Sequence, residues 1–518
     1  MLLPRTPSSE SEFTKEWILH VLQDSLSQDD GPIEVISFEA RKNEVQGILS
    51  TTFVVDIQLR VGDSNLKKSI FVKVPLKDEP AYRNVNIREA TMLREVLPQL
   101  QSFLDEKCDG FFRLPMPKLV YCHYDGSGES DVFVLENLLE EGFYNFNGER
   151  CLNEPHMKAV LDCLAYLHGT GLAYKRHSGG LEGLQREFPQ LDVQIQLHDL
   201  IDEAAMRRHF GRNFRAFLHY MEEAEPALAR HTGYMKRMHR HILKVVESLE
   251  GCGYQSLITL AHGDAKPNNF MFRRIEIDLE ECECEGIDPM LIDWQGGFLG
   301  SAANDLMWAL YPFVESDRRL YPVALEYYFD MLKTVLGTFK CSYAELGIPD
   351  DFGGFASLLK RCLVLEFLTV TVIKPVMSLE KPERLWTWHK QTLRNRRRRF
   401  KRTVVKPEME EVFSSPRFTG FCLLYFRIAT SLGAFQELGS IYFDIMKDSV
   451  FDRKKTLDEH DSDEEEDEDL VSRVINAPLR VLAKALAGSV VVVAVVAGLY
   501  QAWSGKEAHQ LVLFRGWW

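Results

Sequence analysis

Two short polar motifs, each placed beside apolar runs, constrain this chain more than any other feature of its sequence. Residues 262–269 read His-Gly-Asp-Ala-Lys-Pro-Asn-Asn, and residues 291–293 read Leu-Ile-Asp. Apolar runs at 256–261 and 270–272 flank the first motif, and a third at 290–292 leads into the second aspartate. Runs of this length between polar turns predict strands. The sequence thus predicts a carboxylate and an amide in one inter-strand turn, and a second carboxylate at a strand end.

The first motif has the spacing of the protein kinase catalytic loop, H-x-D-x-x-x-x-N. In that loop the Asp accepts the proton of the attacking hydroxyl, and the Asn five residues later ligates a metal ion. These roles would fall to Asp264 and Asn269, and the metal-binding role of the D-F-G aspartate to Asp293. Hard oxygen ligands such as Asn269 and Asp293 suit Mg²⁺, without any Cys or His ligand. The pattern indicates ATP-dependent phosphoryl transfer.

A further acidic residue, Asp305, opens an apolar run that is typical of a helix. Two structural interpretations remain open for it. It could be an ordinary helix N-cap, or it could support the catalytic loop together with His262.

The upstream part of the chain supplies a second pair of charged residues. Residues 51–61 and 69–75 are β-branched runs separated by a polar turn, which predicts paired strands. Lys73 lies inside the second run. In kinases, a lysine at the corresponding strand position meets the α and β phosphates of ATP. A lysine in a strand most often faces solvent. However, Glu89 begins a helical pattern that continues to Leu97, and it could pair with Lys73 as the αC glutamate does in kinases.

Two further segments would complete an ATP site. The loop 46–50 contains a single glycine, Gly47, which permits one close backbone approach but does not form a glycine-rich phosphate loop. The apolar run 131–135 leads into a segment that could act as a hinge and present backbone groups to adenine. The hinge residues would be Leu135, Glu136, Asn137 and Leu138.

With these pieces in order, the chain resembles the ecdysteroid kinase-like family, a branch of the protein kinase-like fold related to aminoglycoside phosphotransferases and choline kinases. The resemblance covers roughly residues 33–440. It rests on Phe-Val-Lys-Val at 71–74, Glu89, Val-Leu-Glu-Asn-Leu at 134–138, Leu-Ala-Tyr-Leu-His at 164–168, His-Gly-Asp at 262–264, Leu-Ile-Asp-Trp-Gln at 291–295 and Asp305. The order and spacing of these motifs are more specific than any one of them.

The resemblance implies an α+β protein kinase-like fold with a small antiparallel β lobe and a larger, mainly helical lobe. It also implies ATP and Mg²⁺ as cofactors, and a small-molecule hydroxyl as acceptor, such as a steroid or a detoxification product. The family usually has Leu-Trp after His-Gly-Asp, where this chain has Ala265 and Lys266. Lys266 beside the transfer site could change the charge preference for substrate or stabilise the transferring phosphoryl group.

Two alternatives stay open at this point. The first is a choline, ethanolamine or sugar kinase, which an acidic and aromatic acceptor site would favour over an apolar one. The second is a catalytically silent kinase-like scaffold. The glycine-poor loop favours the scaffold, whereas the intact set of Lys, Glu, Asp, Asn and Asp speaks against it.

The sequence divides into five parts. They are a lead-in helix at 1–31, a kinase-like small lobe at 32–138, a large lobe with helical insertions at 139–447, an acidic linker at 448–479 and a hydrophobic tail at 480–518. By the resemblance, helix-like stretches at 203–220 and 227–249 would shape the acceptor site.

Charge and cysteine usage limit the partners of the chain. The net charge is −15, and residues 458–469 hold ten acids in twelve positions, which predicts a solvated spacer. The basic run 394–402 reads as an exposed helix face, and the sequence contains no recognised nucleic-acid module, so we expect no nucleic-acid partner. Ten scattered cysteines, with no C-x-x-C and no secretory leader, predict a catalytic domain in the reducing cytoplasm. We interpret Cys282 and Cys284 as loop residues.

The tail contains the one long uncharged segment of the chain. Residues 485–503 are nineteen residues without a charge. As a helix they would span about 28 Å, against a hydrocarbon core of about 30 Å. This predicts a membrane anchor that leaves the catalytic domain in the cytoplasm; a buried helix or strand is the rival interpretation.

Overall fold

The computed structural model describes twelve segments of the chain. They are residues 5–23, 32–43, 50–75, 83–110, 112–126, 129–145, 153–191, 229–238, 256–279, 282–316, 320–359 and 433–456, together with isolated positions between 218 and 245 and at 423 and 430. The chain consists of two compact units, Met1–Met446 and Lys447–Trp518. Predicted features outside the described residues are the loop with Gly47, the basic run 394–402, the acidic block 458–469 and the hydrophobic segment 485–503. Most of the helix-like stretch 203–220 and part of the stretch 227–249 also lie outside them.

Five strands near the start of the chain form one antiparallel sheet in the order β1-β2-β3-β5-β4. Their bounds are β1 Ile33–Lys42, β2 Ser50–Val61, β3 Ser64–Pro75, β4 Leu119–His123 and β5 Val132–Glu136. Strands β2 and β3 pair along their whole length around a turn that contains Gly62. Gly62 has a φ of +56°, a left-handed value that glycine adopts without a steric penalty. Both predicted β-branched runs are therefore strands of one hairpin.

Helix α1, Lys15–Leu22, covers one face of this sheet. Thr14 caps the helix, because its side chain accepts a hydrogen bond from the backbone N–H of Trp17. Trp17 is buried, and Phe13 makes edge-to-face contacts with both Trp17 and Phe53 of β2. The amphipathic pattern predicted for the lead-in thus buries an aromatic cluster against the small lobe.

The larger part of the described chain is mainly helical. Its helices are α2 Arg83–Thr91, α3 Leu97–Cys108, α4 Glu154–His177, α5 Leu181–Glu187, α6 Ala229–Met238, α7 Ala302–Ser316, α8 Leu320–Thr338, α9 Tyr343–Leu346 and α10 Ala434–Thr456. Its strands are β6 Tyr144–Asn145, β7 Ile258–Ala261, β8 Phe270–Leu279, β9 Cys282–Leu291 and β10 Phe298–Ser301. Strands β6, β8 and β9 form one small sheet, and β7 pairs with β10. The predicted α+β class, with a small antiparallel sheet and a larger helical part, is confirmed.

Several predicted boundaries differ from the structure. The strand that carries Lys73 begins at Ser64 rather than at residue 69, because an exposed polar arm continues the backbone pairing beyond the apolar run. The helix that carries Glu89 begins at Arg83, six positions earlier than the apolar pattern, and a π-helical turn, Met92–Val96, follows it. Residues 83–88 are mostly polar, so apolar periodicity gave no sign of the first turn.

The interpretation of Cys282 and Cys284 as loop residues is wrong. Both lie in β9, where Cys282 pairs with Leu279 and Cys284 pairs with Ile277 of β8. The runs predicted at 270–272 and 290–292 lie at the end of this hairpin that adjoins the two polar motifs. Backbone hydrogen bonds carry the ladder through a glutamate-rich segment that lacks a hydrophobic strand pattern.

None of the described helices is long and apolar enough to cross a membrane.

The central helix α4 packs against α8 and β7 through glycines. A Cβ placed on Gly171 of α4 would overlap the hydroxyl of Thr259 and lie 3.0 Å from the backbone nitrogen of Leu260. Close helix–strand packing at this point therefore requires the missing side chain.

Gly171→Ala should lower the free energy of unfolding by about 1–3 kcal/mol, because the added methyl group overpacks the contact with β7. Gly337→Ala in α8 is the matched control, because nothing lies within 4 Å of its Cβ position. It should raise stability by about 0.5–1 kcal/mol through the lower conformational entropy of the unfolded chain. Urea unfolding followed by tryptophan fluorescence measures both, and equal midpoints for the two variants would contradict this account.

Candidate active site

The loop at residues 262–269, which we call the catalytic loop after the kinase motif it resembles, lies backbone to backbone against the turn that follows β9. Gly263 has a φ of +78°, and a Cβ at this position would overlap the carbonyl oxygen of Gly296. The backbone N–H of Ile292 donates to the carbonyl of Asn269 at 3.0 Å. The glycine of the His-Gly-Asp motif is thus needed both for its backbone angle and for its lack of a side chain. As a result, Asn269 and Asp293 lie on neighbouring stretches of backbone.

Asp264 is held through one of its two carboxylate oxygens. The side-chain amide of Asn269 donates to Asp264 Oδ2 at 2.9 Å, and Lys266 Nζ donates to the same oxygen at 2.7 Å. Asp264 Oδ1 has no hydrogen-bond partner among the described residues. Burial raises the pKa of Asp264, and the positive charge of Lys266 opposes part of this rise. Oδ1 is the oxygen that an incoming hydroxyl could reach.

Lys73 joins the small sheet to the larger lobe. Its Nζ donates to both carboxylate oxygens of Glu89, at 2.7 and 2.8 Å, and to Asp293 Oδ1 at 2.6 Å. Lys73 and Glu89 are 8% and 2% exposed, so the alternative of a solvent-facing lysine is excluded. Burial alone would lower the pKa of Lys73, but Asp293 and Glu89 outweigh it and raise that pKa above its usual range.

Asp293 adopts a backbone conformation that few residues with side chains adopt. Its φ and ψ are 66° and 63°, in the left-handed region, which Asp tolerates better than most residues. Its second oxygen, Oδ2, accepts a hydrogen bond from Gln295 at 3.2 Å. Burial acts to raise the pKa of Asp293, but the contact with Lys73 outweighs it and the pKa is lowered. Asp293 is therefore a carboxylate held in a strained turn at the strand end.

The donor atoms near this turn fit a magnesium ion. Asn269 uses its amide nitrogen to bond Asp264, so its carbonyl oxygen remains for another partner. Asp293 adds carboxylate oxygens from the adjacent backbone. An amide and a carboxylate oxygen are hard ligands of the kind that Mg²⁺ combines with phosphate oxygens and water. Asn269 and Asp293 are thus the residues that could hold the metal.

Asp305 braces the catalytic loop from a fully buried position. Its Oδ2 accepts the backbone N–H of His262 at 2.6 Å, and its Oδ1 accepts that of Gly263 at 2.8 Å. His168 Nε2 lies 3.0 Å from the same Oδ2, and His168 Nδ1 lies 2.7 Å from the hydroxyl of Tyr328. Burial acts to raise the pKa of Asp305. The hydrogen bonds from the His168 side chain and the His262 backbone outweigh burial and lower the pKa.

This arrangement decides between the two interpretations of Asp305. Helix α7 begins at Ala302, three residues before Asp305, so Asp305 is not its N-cap. His262 supports the loop in its own way, because its Nε2 lies 3.0 Å from the carbonyl of Ile292 and its Nδ1 accepts the N–H of Asp264. In these contacts Nε2 carries the ring proton and Nδ1 is the acceptor.

The predicted hinge comprises the last two residues of β5, Leu135 and Glu136, and the first two residues after the strand, Asn137 and Leu138. Leu135 is buried and pairs with Phe71 of β3. The side-chain oxygen of Glu136 accepts the backbone N–H of Lys118, and the side-chain amide of Asn137 donates to the Ser69 hydroxyl. These side chains anchor the segment to its neighbours in the sheet, so adenine recognition would depend on its backbone groups.

The rest of the hinge closes a tight turn. The backbone carbonyl of Asn137 accepts the N–H of Glu140, and that of Leu138 accepts the N–H groups of Glu141 and Phe143. Leu138 is buried beside Phe143 and Met271. The end of the hinge is therefore packed against β8, the strand that leaves the catalytic loop.

Sequence reasoning missed two residues of the brace and one glycine. His168 entered only as part of a family-like motif, and the position of Tyr328, 160 residues away, gave no signal. The contact of Gly296 with the catalytic loop was also missed. A buried histidine in an apolar helix could have marked His168 as a residue with a partner. Its partners depend on how α4, α7 and α8 pack together.

Asp305→Ala should lower the free energy of unfolding by about 3–5 kcal/mol, because it leaves the buried donors of His262, Gly263 and His168 without an acceptor. Asp350→Asn is the control, since Asp350 is exposed and pairs only loosely with Lys333, at 3.8 Å. Its effect should stay within about 0.5 kcal/mol. Chemical denaturation at pH 7 gives both values.

The same residue has a predictable pH dependence. Because the folded pKa of Asp305 is lowered, its contribution to stability is present above the ordinary Asp pKa of about 4 and is lost as pH falls through the folded value. The stability difference between the natural protein and Asp305→Asn should therefore be largest near neutral pH and shrink in acid. A difference that grows on acidification would contradict the assigned charge state.

Comparisons with known proteins place the chain in a family. Residues 46–341, more than half of the 518-residue chain, match the ecdysteroid kinase-like family. No curated protein matches the chain. Among solved structures, the chain is similar to an ethanolamine kinase of Plasmodium vivax, with 10% sequence identity and a TM-score of 0.37, over 84% of this chain and 93% of that one. A structural similarity this distant carries no argument about substrate. The family match spans every predicted site residue from Gly47 to Asp305, and the chain belongs to the ecdysteroid kinase-like family.

Proposed function

We propose that this protein is an ATP- and Mg²⁺-dependent phosphotransferase that acts on a hydroxyl group of a small molecule. The observation that carries the proposal is the contact of Lys73 with both Glu89 and Asp293. Those residues come from a strand, a helix and a turn, and Asp293 lies 220 positions from Lys73 in the chain. Their meeting supports a site that joins a phosphate-binding lysine to a metal-binding carboxylate, as kinases require.

In this proposal Asp264 acts on the acceptor. Its Oδ1 accepts the hydroxyl proton while the alcohol oxygen forms a bond to the γ-phosphorus and the bond from that phosphorus to the bridging oxygen of ADP breaks. Asn269 and Lys266 hold Oδ2 and so orient the carboxylate. Burial raises the pKa of Asp264, which makes it a better proton acceptor than an ordinary aspartate.

The remaining residues act on the nucleotide. Lys73 would meet the α and β phosphates, and Glu89 would keep its ammonium in place. Mg²⁺ held by Asn269 and Asp293 would neutralise charge on the phosphate oxygens. Asp305 and His262 keep the catalytic loop in one conformation, so catalysis would rest mainly on placement and charge stabilisation.

The first test compares the full chain with Asp264→Asn and Asp293→Asn. The natural protein should bind ATP only with Mg²⁺ and hydrolyse it slowly. Asp264→Asn should keep nucleotide binding and lose about 100-fold or more in hydrolysis, because it removes the proton acceptor. Asp293→Asn should weaken Mg²⁺-dependent binding about 10-fold or more, because it removes a charged ligand. Calorimetric titration and an ADP-release assay measure these effects.

Asp330→Asn serves as the control for that test, since Asp330 is exposed on α8. It should change neither ATP binding nor hydrolysis. Failure of the natural protein to bind ATP with Mg²⁺ would contradict the proposal and favour a kinase-like scaffold. Equal hydrolysis by the Asp264 variant would contradict the role given to that residue.

We also propose, from the sequence alone, that residues 485–503 anchor the protein in a membrane and leave its kinase-like domain in the cytoplasm. A soluble fluorescent protein carrying residues 471–518 at its end should then sediment with membranes and resist carbonate extraction. Replacing Val492 and Val495 by Asp should release the fusion, because each charge at the centre of a span costs about 3 kcal/mol. A fusion that stays in the soluble fraction contradicts the anchor.

A further inference from the structure

We propose that His123, Asp125 and Asp131 bind a divalent transition-metal ion such as Zn²⁺ in the small lobe. Among the described residues they are the one group in which three histidine or carboxylate donor atoms lie close enough to share an ion, all within 4.8 Å of one another. None of the three belongs to the candidate active site, so the inference does not depend on the proposed function.

The register of the small sheet brings the three residues together. Strand β4 is an edge strand and ends at His123, which pairs with Val132, the first residue of β5. Asp131 directly precedes Val132, and Asp125 lies two positions beyond His123 in the loop that joins the strands. An imidazole and two carboxylates thus meet at one end of the β4–β5 hairpin.

The imidazole of His123 brings a buried nitrogen to this group. Its Nε2 is shielded from solvent and has no hydrogen-bond partner among the described residues. Asp125 Oδ2 lies 3.6 Å from this nitrogen, which is too far for a hydrogen bond. A buried polar atom in this state indicates an ion or a water molecule that completes its bonding.

The loop holds the carboxylate of Asp131 in place. Asp131 is 4% exposed. Its Oδ1 accepts the backbone N–H of Asp125 at 2.9 Å and that of Gly126 at 3.2 Å. The ring of Tyr124 stacks on Phe133 of β5, with ring centroids 6.1 Å apart. The loop backbone is therefore fixed from both sides, and the buried carboxylate is positioned before any ion binds.

Asp125 supplies an adjustable ligand and a path for the ion, because its side chain is 52% exposed. Zinc forms bonds of about 2.0–2.2 Å to nitrogen and oxygen, so donors 3.6 Å apart fit an angle of about 120° at the metal. Such bonds would bring all three donors to within about 4 Å of one another, which requires a shift of roughly 1 Å by the exposed carboxylate. Water would complete the coordination.

The donor set favours a transition metal over the other partners of a buried nitrogen. Two carboxylates and one imidazole form an anionic group whether or not the ring is protonated, so a cation suits the group better than a water molecule. Mg²⁺ and Ca²⁺ take oxygen ligands, whereas imidazole together with carboxylate suits Zn²⁺ and its neighbours in the first transition row. An ion bound here would link β4 to β5 and stabilise the edge of the sheet.

Metal titration of the full chain tests the site. The protein is stripped with a chelator and then titrated calorimetrically with Zn²⁺. The natural protein should bind one more Zn²⁺ than His123→Gln, with a dissociation constant of about 10 µM or lower, a weaker affinity than that of four-ligand structural zinc sites. Titration with Co²⁺ should give visible absorption bands that His123→Gln weakens, because the imidazole ligand is lost.

Two further variants separate loss of a ligand from loss of the fold. Asp131→Asn keeps an oxygen that can accept the two backbone N–H groups and removes the charge, so it should lose the same equivalent of Zn²⁺. Asp125→Ala changes an exposed side chain, which the fold tolerates, and should weaken binding about 10-fold or more. Circular dichroism confirms that each variant is folded.

His219→Gln is the matched control. His219 also lies beside a carboxylate, with its Nε2 3.3 Å from Oε1 of Glu223, but both side chains are exposed and do not belong to a group of three described donors. This variant should bind Zn²⁺ as the natural protein does. Asp293→Asn should also keep this equivalent, because that residue belongs to the candidate active site.

The site is supported if the Zn²⁺ equivalent disappears in His123→Gln and Asp131→Asn, weakens in Asp125→Ala and persists in both controls. Absence of Zn²⁺ binding near 10 µM in the natural protein overturns it, as does equal binding by His123→Gln or by Asp125→Ala. Loss of the equivalent in Asp293→Asn would assign the ion to the candidate active site and overturn the proposal as well. None of these outcomes depends on turnover of ATP.

Discussion

The buried carboxylate of Asp305 is the interaction on which the geometry of the site depends. It accepts the backbone N–H groups of His262 and Gly263, and it lies against His168 from the central helix α4. A buried charge is stable only when its hydrogen bonds are complete. Because the donors lie on the catalytic loop and on α4 while Asp305 lies on α7, a shift of any of these elements would leave a charge or a donor without a partner. The cost of that loss holds the loop in one conformation.

The second constraint is backbone contact between the two polar motifs. Gly263 packs on Gly296, and the neighbouring Asp293 takes a left-handed conformation. Three carboxylates and two lysines then lie close together in a partly buried region, where unbalanced charge would be costly. Lys73 lies against two of the carboxylates, and Lys266 against Asp264. Each carboxylate therefore contacts a lysine, and this pairing together with the loop packing explains why these side chains occupy a common site without destabilising the fold.

Particular elements show how far sequence reasoning reached. The paired strands of the small lobe and the strands around residues 262–293 were predicted, because alternating β-branched runs bounded by turns are local signals. Pairing of Lys73 with Glu89 was predicted from resemblance to kinases rather than from spacing. The strand position of Cys282 and the early start of the helix before Glu89 were missed. In both cases backbone hydrogen bonding continues an element through polar residues that show no hydrophobic pattern.

The sequence by itself determined the fold class, the family and the identity of the polar residues at the site, because these depend on local patterns and on the order of motifs. Only the tertiary structure decided which atoms meet. It assigned Asp305 to the catalytic loop rather than to a helix cap, added His168 and Tyr328 to the brace, and placed Lys266 on one oxygen of Asp264. The physical reason is that the contacts of the brace join residues far apart in the chain, 43 positions for His262 and Asp305 and 160 positions for His168 and Tyr328. Packing of helices and strands, not spacing along the chain, sets these distances.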